Sequence, residues 1–271
     1  MIKIGFIGYG RMGQALAKGA MDGRVLLRKN VGAFDTGAEA KRLIRKDRIR
    51  NFLSIADTLK FSSCIFLCVK PQQLRDVLLD VHREIKNLKN RVLFVSIAAG
   101  FPLKKLTGLL GRNVPVIRVM PNTPALLRAG MSVMSLGRGG VSSTDISFVR
   151  KILGAVGSVL LLPEAAMDAV TAVSGSGPAY VFYLAEAMME AARTLGLSQV
   201  VAQELVKETI FGAGKMLKIT NTKAAQLRAQ VTSKGGTTEA AIRFMDKARL
   251  KTGIQTAIHK AAQRSKELSC L

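Results

Sequence analysis

The segment Gly8-Tyr9-Gly10-Arg11-Met12-Gly13 decides the fold. It lies between a short apolar run at Ile2–Ile7 and a helical pattern at Met12–Met21. A G-x-G-x-x-G between strand and helix is typical of a dinucleotide-binding turn, because glycines permit a tight turn and close approach of the backbone to a pyrophosphate. The N-terminus of the helix then offers free N–H groups to phosphate oxygens. The alternative is a tight βα turn that binds no ligand.

Strand and helix patterns alternate through the first half of the chain. Further strand patterns occur at Val31–Asp35, Cys64–Val69, Val92–Ile97, Val114–Val119 and Met131–Ser135, and helical patterns at Ala38–Arg45 and Leu74–Ile85. This order predicts a parallel sheet with crossover helices, so residues 1–162 are expected to form a Rossmann-like domain that binds NAD(P).

The pattern changes after Pro163. Helical patterns follow at Ala165–Val173, Pro178–Leu195 and Gln199–Ile219, and another begins near Gly236. We therefore predict an α/β protein in which residues 163–271 form an all-α second domain. Because Pro178–Leu195 is apolar around much of its circumference, we expect the chain to form a dimer or a larger homo-oligomer.

Charge is the unusual feature of the composition. The chain has 41 Lys and Arg against 18 Asp and Glu, which gives a net charge of +23. The basic residues are spread along the chain, with a dense block between Lys41 and Arg50, and aromatic residues make up only 5%. Since no nucleic-acid-binding motif accompanies the charge, a nucleic-acid partner is not favoured.

Cysteines and histidines are sparse. Cys64, Cys68 and Cys270 form no C-x-x-C pair, and His82 and His259 stand far apart, so neither a disulfide framework nor a metal site is expected. Apolar stretches are interrupted well before the roughly 18 residues that a membrane span needs. With a strand pattern beginning at the first residues, we expect no leader segment and a cytoplasmic protein.

Asp35 ends the second predicted strand. An acid at this position accepts both ribose hydroxyls of NAD and repels the 2′-phosphate of NADP, so Asp35 favours NADH. Lys41 and Arg42 lie nearby and could bind a phosphate, which leaves NADPH open. Asp35 could also serve only its own turn, before Thr36 and Gly37.

Other candidate site residues follow later strands. Val69-Lys70-Pro71 and Met120-Pro-Asn122-Thr-Pro-Ala125 both come after strand patterns, at the sheet edge where doubly wound folds bind ligands. Either segment could also be an ordinary loop.

Two strings of small residues precede helices in the second half, namely Ser174-Gly-Ser-Gly-Pro-Ala179 and Val231–Glu239. In the second, backbone N–H groups and the hydroxyls of Ser233, Thr237 and Thr238 suit a carboxylate. The alternative is a loop that only caps its helix.

Together these motifs resemble the pyrroline-5-carboxylate reductases, over nearly the whole chain. The resemblance lies in Gly5–Gly13, Val69–Pro71, Ser96–Gly100, Met120–Ala125, Ser174–Val181 and Ser233–Ala240. It implies reduction of 1-pyrroline-5-carboxylate to L-proline with NADPH or NADH, and a helical domain that dimerises.

The resemblance also implies roles for individual residues. The cofactor would be bound by Gly8, Tyr9, Gly10, Arg11, Met12, Gly13, Asp35, Val69, Lys70, Pro71, Ala98, Ala99 and Asn122. The substrate would be bound by Ser233, Gly235, Gly236, Thr237 and Thr238. Thr238 would be the catalytic residue, with its hydroxyl near the ring nitrogen.

Two positions depart from the family pattern. Lys234 stands where the family usually has proline, and Asn221 where an acid is expected. Two alternatives therefore stay open: a nucleotide-binding relative that has lost catalysis or changed specificity, and another NAD(P)H-dependent reductase of imines or hydroxyacids. A hydroxyacid enzyme would need a catalytic lysine, for which Lys207 and Lys215 are the candidates.

Overall fold

The computed structural model describes residues 2–86, 88 and 90–270. The chain forms two compact units, one of Met1–Ser176 with Ala261–Leu271 and the other of Gly177–Lys260.

The first unit is built on one eight-stranded sheet. Its strands are β1 (Ile4–Ile7), β2 (Val31–Phe34), β3 (Arg50–Asn51), β4 (Cys64–Leu67), β5 (Leu93–Ser96), β6 (Val116–Pro121), β7 (Gly130–Leu136) and β8 (Gly157–Leu161). They are ordered β3-β2-β1-β4-β5-β6-β7-β8, and β1 to β6 pair in parallel. The first six strands thus have the doubly wound order of dinucleotide-binding sheets.

Helices pack on both faces of the sheet, and further helices form the second unit. They are α1 (Arg11–Asp22), α2 (Ala38–Lys46), α3 (Ile55–Phe61), α4 (Pro71–Ile85), α5 (Leu103–Leu110), α6 (Ser143–Gly154), α7 (Met167–Val170), α8 (Gly177–Thr194), α9 (Gln199–Ile219), α10 (Ala224–Gln230), α11 (Thr237–Lys247) and α12 (Leu250–Cys270).

Side chains that alternate along the strands divide the core into two layers. Phe6 and Phe66 point to one face, where α1, α2 and α6 pack, and their rings stack at 5.2 Å. Ile7 and Ile65 point to the other face, which α3, α4 and α5 cover. Both faces of the central strands are therefore buried, as near-continuous apolar runs predict.

The α/β architecture predicted from the sequence is confirmed, with one difference of direction. The strand predicted at Met131–Ser135 exists as β7 but runs antiparallel to β6. The connection between them, residues 122–129, is too short for a parallel crossover, which needs about a dozen residues or more. The sequence analysis also missed β3, β8, α3, α5, α6 and α10.

The segment just after Pro163 packs with the sheet unit. Arg118 in β6 is buried and forms an ion pair with Glu164 at 2.7 Å, and Glu164 also accepts the Leu103 N–H at 2.9 Å. Asp168 accepts a hydrogen bond from Ser265 in α12 at 2.7 Å. Packing thus groups residues 163–176 and 261–270 with the sheet. The domain division at 162/163 stays a prediction.

The second unit leaves much apolar surface uncovered. On α8, Phe182 is 61% and Tyr183 is 76% exposed, and Phe211 on α9 is 66% exposed. No side chain of α8 is buried within the chain. Exposed aromatic side chains on two neighbouring helices indicate a surface made for association.

Helix α6 begins with a capping box that is joined to a distant ion pair. Ser142 Oγ accepts the Asp145 N–H, and Asp145 accepts the Ser142 N–H. The Arg91 guanidinium lies 2.5 Å from Asp145. Burial opposes ionisation of Asp145, but hydrogen bonds from Arg91 and Ser142 outweigh it and hold the pKa of Asp145 below its ordinary value.

We expect Asp145→Asn to lower the free energy of unfolding by about 0.2–1 kcal/mol, because the amide still accepts the Ser142 N–H but no longer carries the charge that pairs with Arg91. Because the pKa of Asp145 is depressed in the folded state, its contribution is present at neutral pH and lost as pH falls through that pKa. Urea denaturation of both proteins should show a difference at pH 7 that shrinks at acidic pH. A difference independent of pH would contradict this role.

Candidate active site

A cleft of about 750 Å³ opens at the carboxyl ends of β1, β2 and β4. Its lining includes Gly8, Tyr9, Gly10, Arg11, Asp35, Val69 and Lys70. The structure therefore brings together the predicted residues of three separate loops. Met12, Gly13, Pro71, Ala98, Ala99 and Asn122 are outside this lining.

Gly8 allows β1 and β4 to end side by side. Its φ is +91°, and a Cβ added there would lie 2.7 Å from the carbonyl carbon of Cys68. Any side chain at this position would overlap the backbone of the next strand.

Gly10 then begins α1 with no side-chain cap, and a Cβ there would meet nothing within 4 Å. The free space lies at a helix N-terminus, where N–H groups have no partners within the helix. This geometry fits the pyrophosphate of a dinucleotide.

The Asp35 carboxylate is hydrogen-bonded to the loop that follows β1. Its Oδ2 accepts the Tyr9 N–H at 2.6 Å, and its Oδ1 accepts the Gly37 N–H at 2.8 Å. A carboxylate has about four acceptor positions, so both oxygens retain capacity for ribose hydroxyls. The turn role considered for Asp35 is therefore real and compatible with binding.

Tyr9 contributes backbone to the cleft. Its side chain is fully buried, and its hydroxyl donates to Asp47 at 3.0 Å. Arg11 is exposed at the start of α1, while Gly13 is buried within it.

Lys70 and the alanines after β5 occupy neighbouring strand ends. Lys70 is exposed and precedes α4, whose first residue is Pro71. Ala98 is buried and its N–H lies 3.5 Å from Ser96 Oγ, and Ala99 is half-buried.

One face of α4 was missed by the sequence analysis. Gln73, Asp76, Val77 and Asp80 all line the cleft. Their i, i+3 and i+4 spacing is the available signal, since residues so spaced share one face of a helix.

Asn122 joins two of the predicted motifs. Its Oδ1 accepts the Met131 N–H at 2.8 Å, and its Nδ2 lies 3.3 Å from Ser174 O and 3.4 Å from Ser174 Oγ. The amide thus links the loop after β6 to the Ser174–Ala179 string. Sequence reasoning identified both strings without predicting that they bond to each other.

The second unit contains the Ser233–Thr238 loop. Gly236 donates to Ser233 O at 3.0 Å, and a Cβ on Gly236 would lie 2.6 Å from Ser233 Oγ. Gly235 donates to Glu239 Oε2 at 2.8 Å, which closes the turn onto α11. A side chain at position 236 would displace the Ser233 hydroxyl.

The hydroxyls of this loop are available for a ligand. Within the part of the chain that the structure describes, Ser233, Thr237 and Thr238 hydroxyls have no hydrogen-bond partner. The N-cap of α11 is Gly236, without a side-chain cap. A loop that only capped its helix would use these hydroxyls, so the geometry favours anion binding.

In the described residues, no group of three His, Cys, Asp or Glu side chains is placed to hold a metal ion. Burial raises the pKa of both the Cys64 and Cys68 thiols, which keeps them protonated. The side chain of Cys270 lies outside what the structure describes.

Among the described helices, none has the length and apolar character to cross a membrane.

Comparison with known proteins decides the family. Residues 164–268 match the family described as pyrroline-5-carboxylate reductase dimerisation, and residues 3–100 match NADP oxidoreductase, coenzyme F420-dependent. The pyrroline-5-carboxylate reductase of Pseudomonas aeruginosa is 40% identical, with 98% of this chain and 97% of that protein covered. That of Methanosarcina acetivorans is 38% identical, with the same coverage. The chain belongs to the pyrroline-5-carboxylate reductase family.

Solved structures agree with this membership. A Coxiella burnetii pyrroline-5-carboxylate reductase has a TM-score of 0.90 at 30% identity, and the Plasmodium falciparum enzyme with NADP bound has 0.88 at 29%. Each match covers 99% of this chain and 98% of the other. The resemblance and the fold class predicted from the sequence are confirmed.

Two glycine substitutions should separate folding from cofactor binding. Gly8→Ala should lower the free energy of unfolding by about 1–3 kcal/mol, because it places a Cβ in a strained conformation against backbone. Gly10→Ala has space for its Cβ, so it should keep stability but weaken NAD(P)H binding by obstructing the helix N-terminus. Urea denaturation and fluorescence titration measure the two effects. Undiminished NAD(P)H affinity in Gly10→Ala would contradict the assigned pyrophosphate site.

Proposed function

We propose that the protein reduces 1-pyrroline-5-carboxylate to L-proline with NAD(P)H, the final step of proline synthesis. The observation that carries this proposal is the match to curated pyrroline-5-carboxylate reductases over 98% of the chain. Both the cleft and the Ser233–Thr238 loop fall within that match.

The sheet unit is proposed to hold the cofactor. Gly8, Gly10 and the first N–H groups of α1 bind the pyrophosphate, and Asp35 accepts the ribose hydroxyls. Val69, Lys70, Pro71, Ala98 and Ala99 lie toward the nicotinamide, in the roles that the family resemblance implies. When bound, the reduced nicotinamide supplies a hydride.

The Ser233–Thr238 loop is proposed to hold the substrate. Ser233, with the N–H group of Thr237, binds the carboxylate, while the Gly236 N–H is used within the turn. Thr238 accepts a hydrogen bond from the protonated ring nitrogen. The imine arrives protonated, so its C5 is already electrophilic and the nitrogen keeps its proton as C5 receives the hydride. Positioning therefore supplies much of the acceleration, and no general base is required.

We infer a preference for NADH from Asp35. Its carboxylate faces the cleft, whereas Lys41 and Arg42 are absent from the cleft lining. A structure of the Plasmodium falciparum relative has NADP bound, so the family accommodates the phosphate as well.

Self-association follows from the second unit. The match to a dimerisation family over residues 164–268 indicates a homo-oligomer, and the exposed aromatics of α8 and α9 supply apolar surface for it. The cytoplasmic location expected from the sequence stays a prediction.

The direct test is oxidation of NAD(P)H with 1-pyrroline-5-carboxylate, beside a cyclic imine without the carboxylate and a 2-oxo acid. We expect turnover with the first and much weaker turnover with the second, because the loop binds the carboxylate. Turnover only with the 2-oxo acid would favour a hydroxyacid reductase. Binding of NAD(P)H without turnover would indicate a relative that has lost catalysis. This is the alternative that the departures at Lys234 and Asn221 leave open.

Substitutions in the loop should separate catalysis from capping. Losing a hydrogen bond to a charged group costs about 1.5–3 kcal/mol, which corresponds to a tenfold to hundredfold fall in kcat/KM. Thr238→Ala should show this fall for the imine with NAD(P)H affinity nearly intact. Ser233→Ala should mainly raise KM, because the carboxylate is held equally before and during hydride transfer. Normal kinetics with a lowered Tm would instead identify the loop as a helix cap.

Replacing the acid in the cofactor cleft should change cofactor choice. Asp35→Ser removes the acceptor for the ribose hydroxyls and the charge that repels a 2′-phosphate, so relative use of NADPH should rise. The measurement is kcat/KM with each cofactor on the same enzyme sample. An unchanged NADH/NADPH ratio would remove Asp35 from the site.

Light scattering tests the association directly. At micromolar protein concentration we expect the mass of a dimer or a larger homo-oligomer, because association buries the exposed aromatic side chains of the second unit. A monomer at that concentration would contradict the proposal.

A further inference from the structure

The Tyr9 side chain points away from the cleft, into the interior of the sheet unit, while its backbone belongs to the loop of residues 8–10 between β1 and α1, here called the dinucleotide loop. It is fully buried, and its ring lies 6.2 Å from that of Phe6, edge to face. Its hydroxyl donates to Asp47 Oδ2 at 3.0 Å. Burial and the neighbouring carboxylate of Asp47 raise the pKa of Tyr9 far above its ordinary value, so the hydroxyl stays a donor at any working pH.

Asp47 joins four parts of the sheet unit. It directly follows α2 and is 7% exposed. Besides Tyr9, its Oδ2 accepts from Gln14 Nε2 at 2.8 Å, and its Oδ1 lies 3.8 Å from Lys18 Nζ; both partners are on α1. The Arg28 guanidinium donates to the Asp47 carbonyl oxygen. A carboxylate held from several directions makes a rigid anchor for the tyrosine hydroxyl.

Tyr9 also contacts the acid of the cofactor cleft. Its backbone N–H donates to Asp35 Oδ2 at 2.6 Å. One residue therefore bonds two carboxylates, Asp47 in the interior through its hydroxyl and Asp35 at the cleft through its N–H. Gly8 and Gly10, on either side, have no side chains with which to anchor the loop.

We propose that Asp47, acting through Tyr9, is a positioning residue that places Asp35 and so contributes to discrimination between NADH and NADPH. The inference rests on the proposed role of Asp35 as acceptor of the ribose hydroxyls. Loss of the Tyr9 hydroxyl frees the ring from its anchor, and the N–H that fixes Asp35 moves with the same residue. NADH, which depends on that carboxylate, loses more than NADPH.

The test measures kcat/KM for NADH and for NADPH on the same samples of Tyr9→Phe and Asp47→Ala. A smaller folded fraction lowers both values equally, so their ratio reports positioning and is insensitive to stability. We expect the NADH/NADPH ratio of kcat/KM to fall by up to about tenfold. This is near the lower end of the effect of losing a hydrogen bond to a charged group. Asp47→Asn keeps one acceptor oxygen and should give an intermediate ratio. Tyr9→Phe deletes only the hydroxyl and serves alone if Asp47→Ala fails to fold.

Asp145→Asn is the matched control. It removes an acid that is also hydrogen-bonded, at the start of α6 and outside the cleft lining. It should lower stability and leave the cofactor ratio unchanged.

The two proposals fail in different ways. If Asp35→Ser shifts the ratio while Tyr9→Phe and Asp47→Ala do not, the positioning role is overturned and Asp35 stays in the site. If Asp35→Ser leaves the ratio unchanged, the role of Asp35 and the inference built on it are both overturned.

Discussion

The sheet unit depends on the close approach of Gly8 to the backbone that follows β4. Only a residue without a Cβ can stand there, because the carbonyl carbon of Cys68 occupies the space that a side chain would need. With Gly8 in place, the chain turns directly from β1 into α1, and the Gly8 N–H bonds to Phe34 O at the end of β2 at 2.9 Å. Three strand ends are thereby brought to one edge, where a helix N-terminus faces a cleft.

Local patterns predicted much of this arrangement. The glycine spacing, the apolar runs and Asp35 define a doubly wound sheet with its ligand edge, since each depends on neighbours in sequence. The existence of β3 depends on pairing between residues distant in sequence, which periodicity does not encode. The direction of β7 follows from the short connection after β6, a local signal that the strand patterns alone do not include. The Ser233–Thr238 loop was predicted from its composition, whereas the bond between Asn122 and Ser174 needed the structure.

Asp47 is the clearest example of a residue whose surroundings could not be predicted from its neighbours in sequence. In the sequence it lies among Lys46 and Arg48 in a strongly basic stretch, which is typical of a solvated surface. The structure buries it, because its partners come from α1, the dinucleotide loop and the turn at Arg28. A chain with 18 acids against 41 bases uses several of its carboxylates at such junctions, including Asp145 and Glu164. Each of these acids joins elements that are far apart in sequence.

The return of α12 to the sheet unit has a consequence for how the chain folds during synthesis. Ser265 bonds to Asp168, and Leu268 lies so close to Gly100 that a Cβ there would be 3.0 Å from the Leu268 Cβ. Residues 261–270 leave the ribosome after the whole helical unit has been made. The contacts of this segment with Asp168 and Gly100 therefore cannot form until residues 177–260 have been translated.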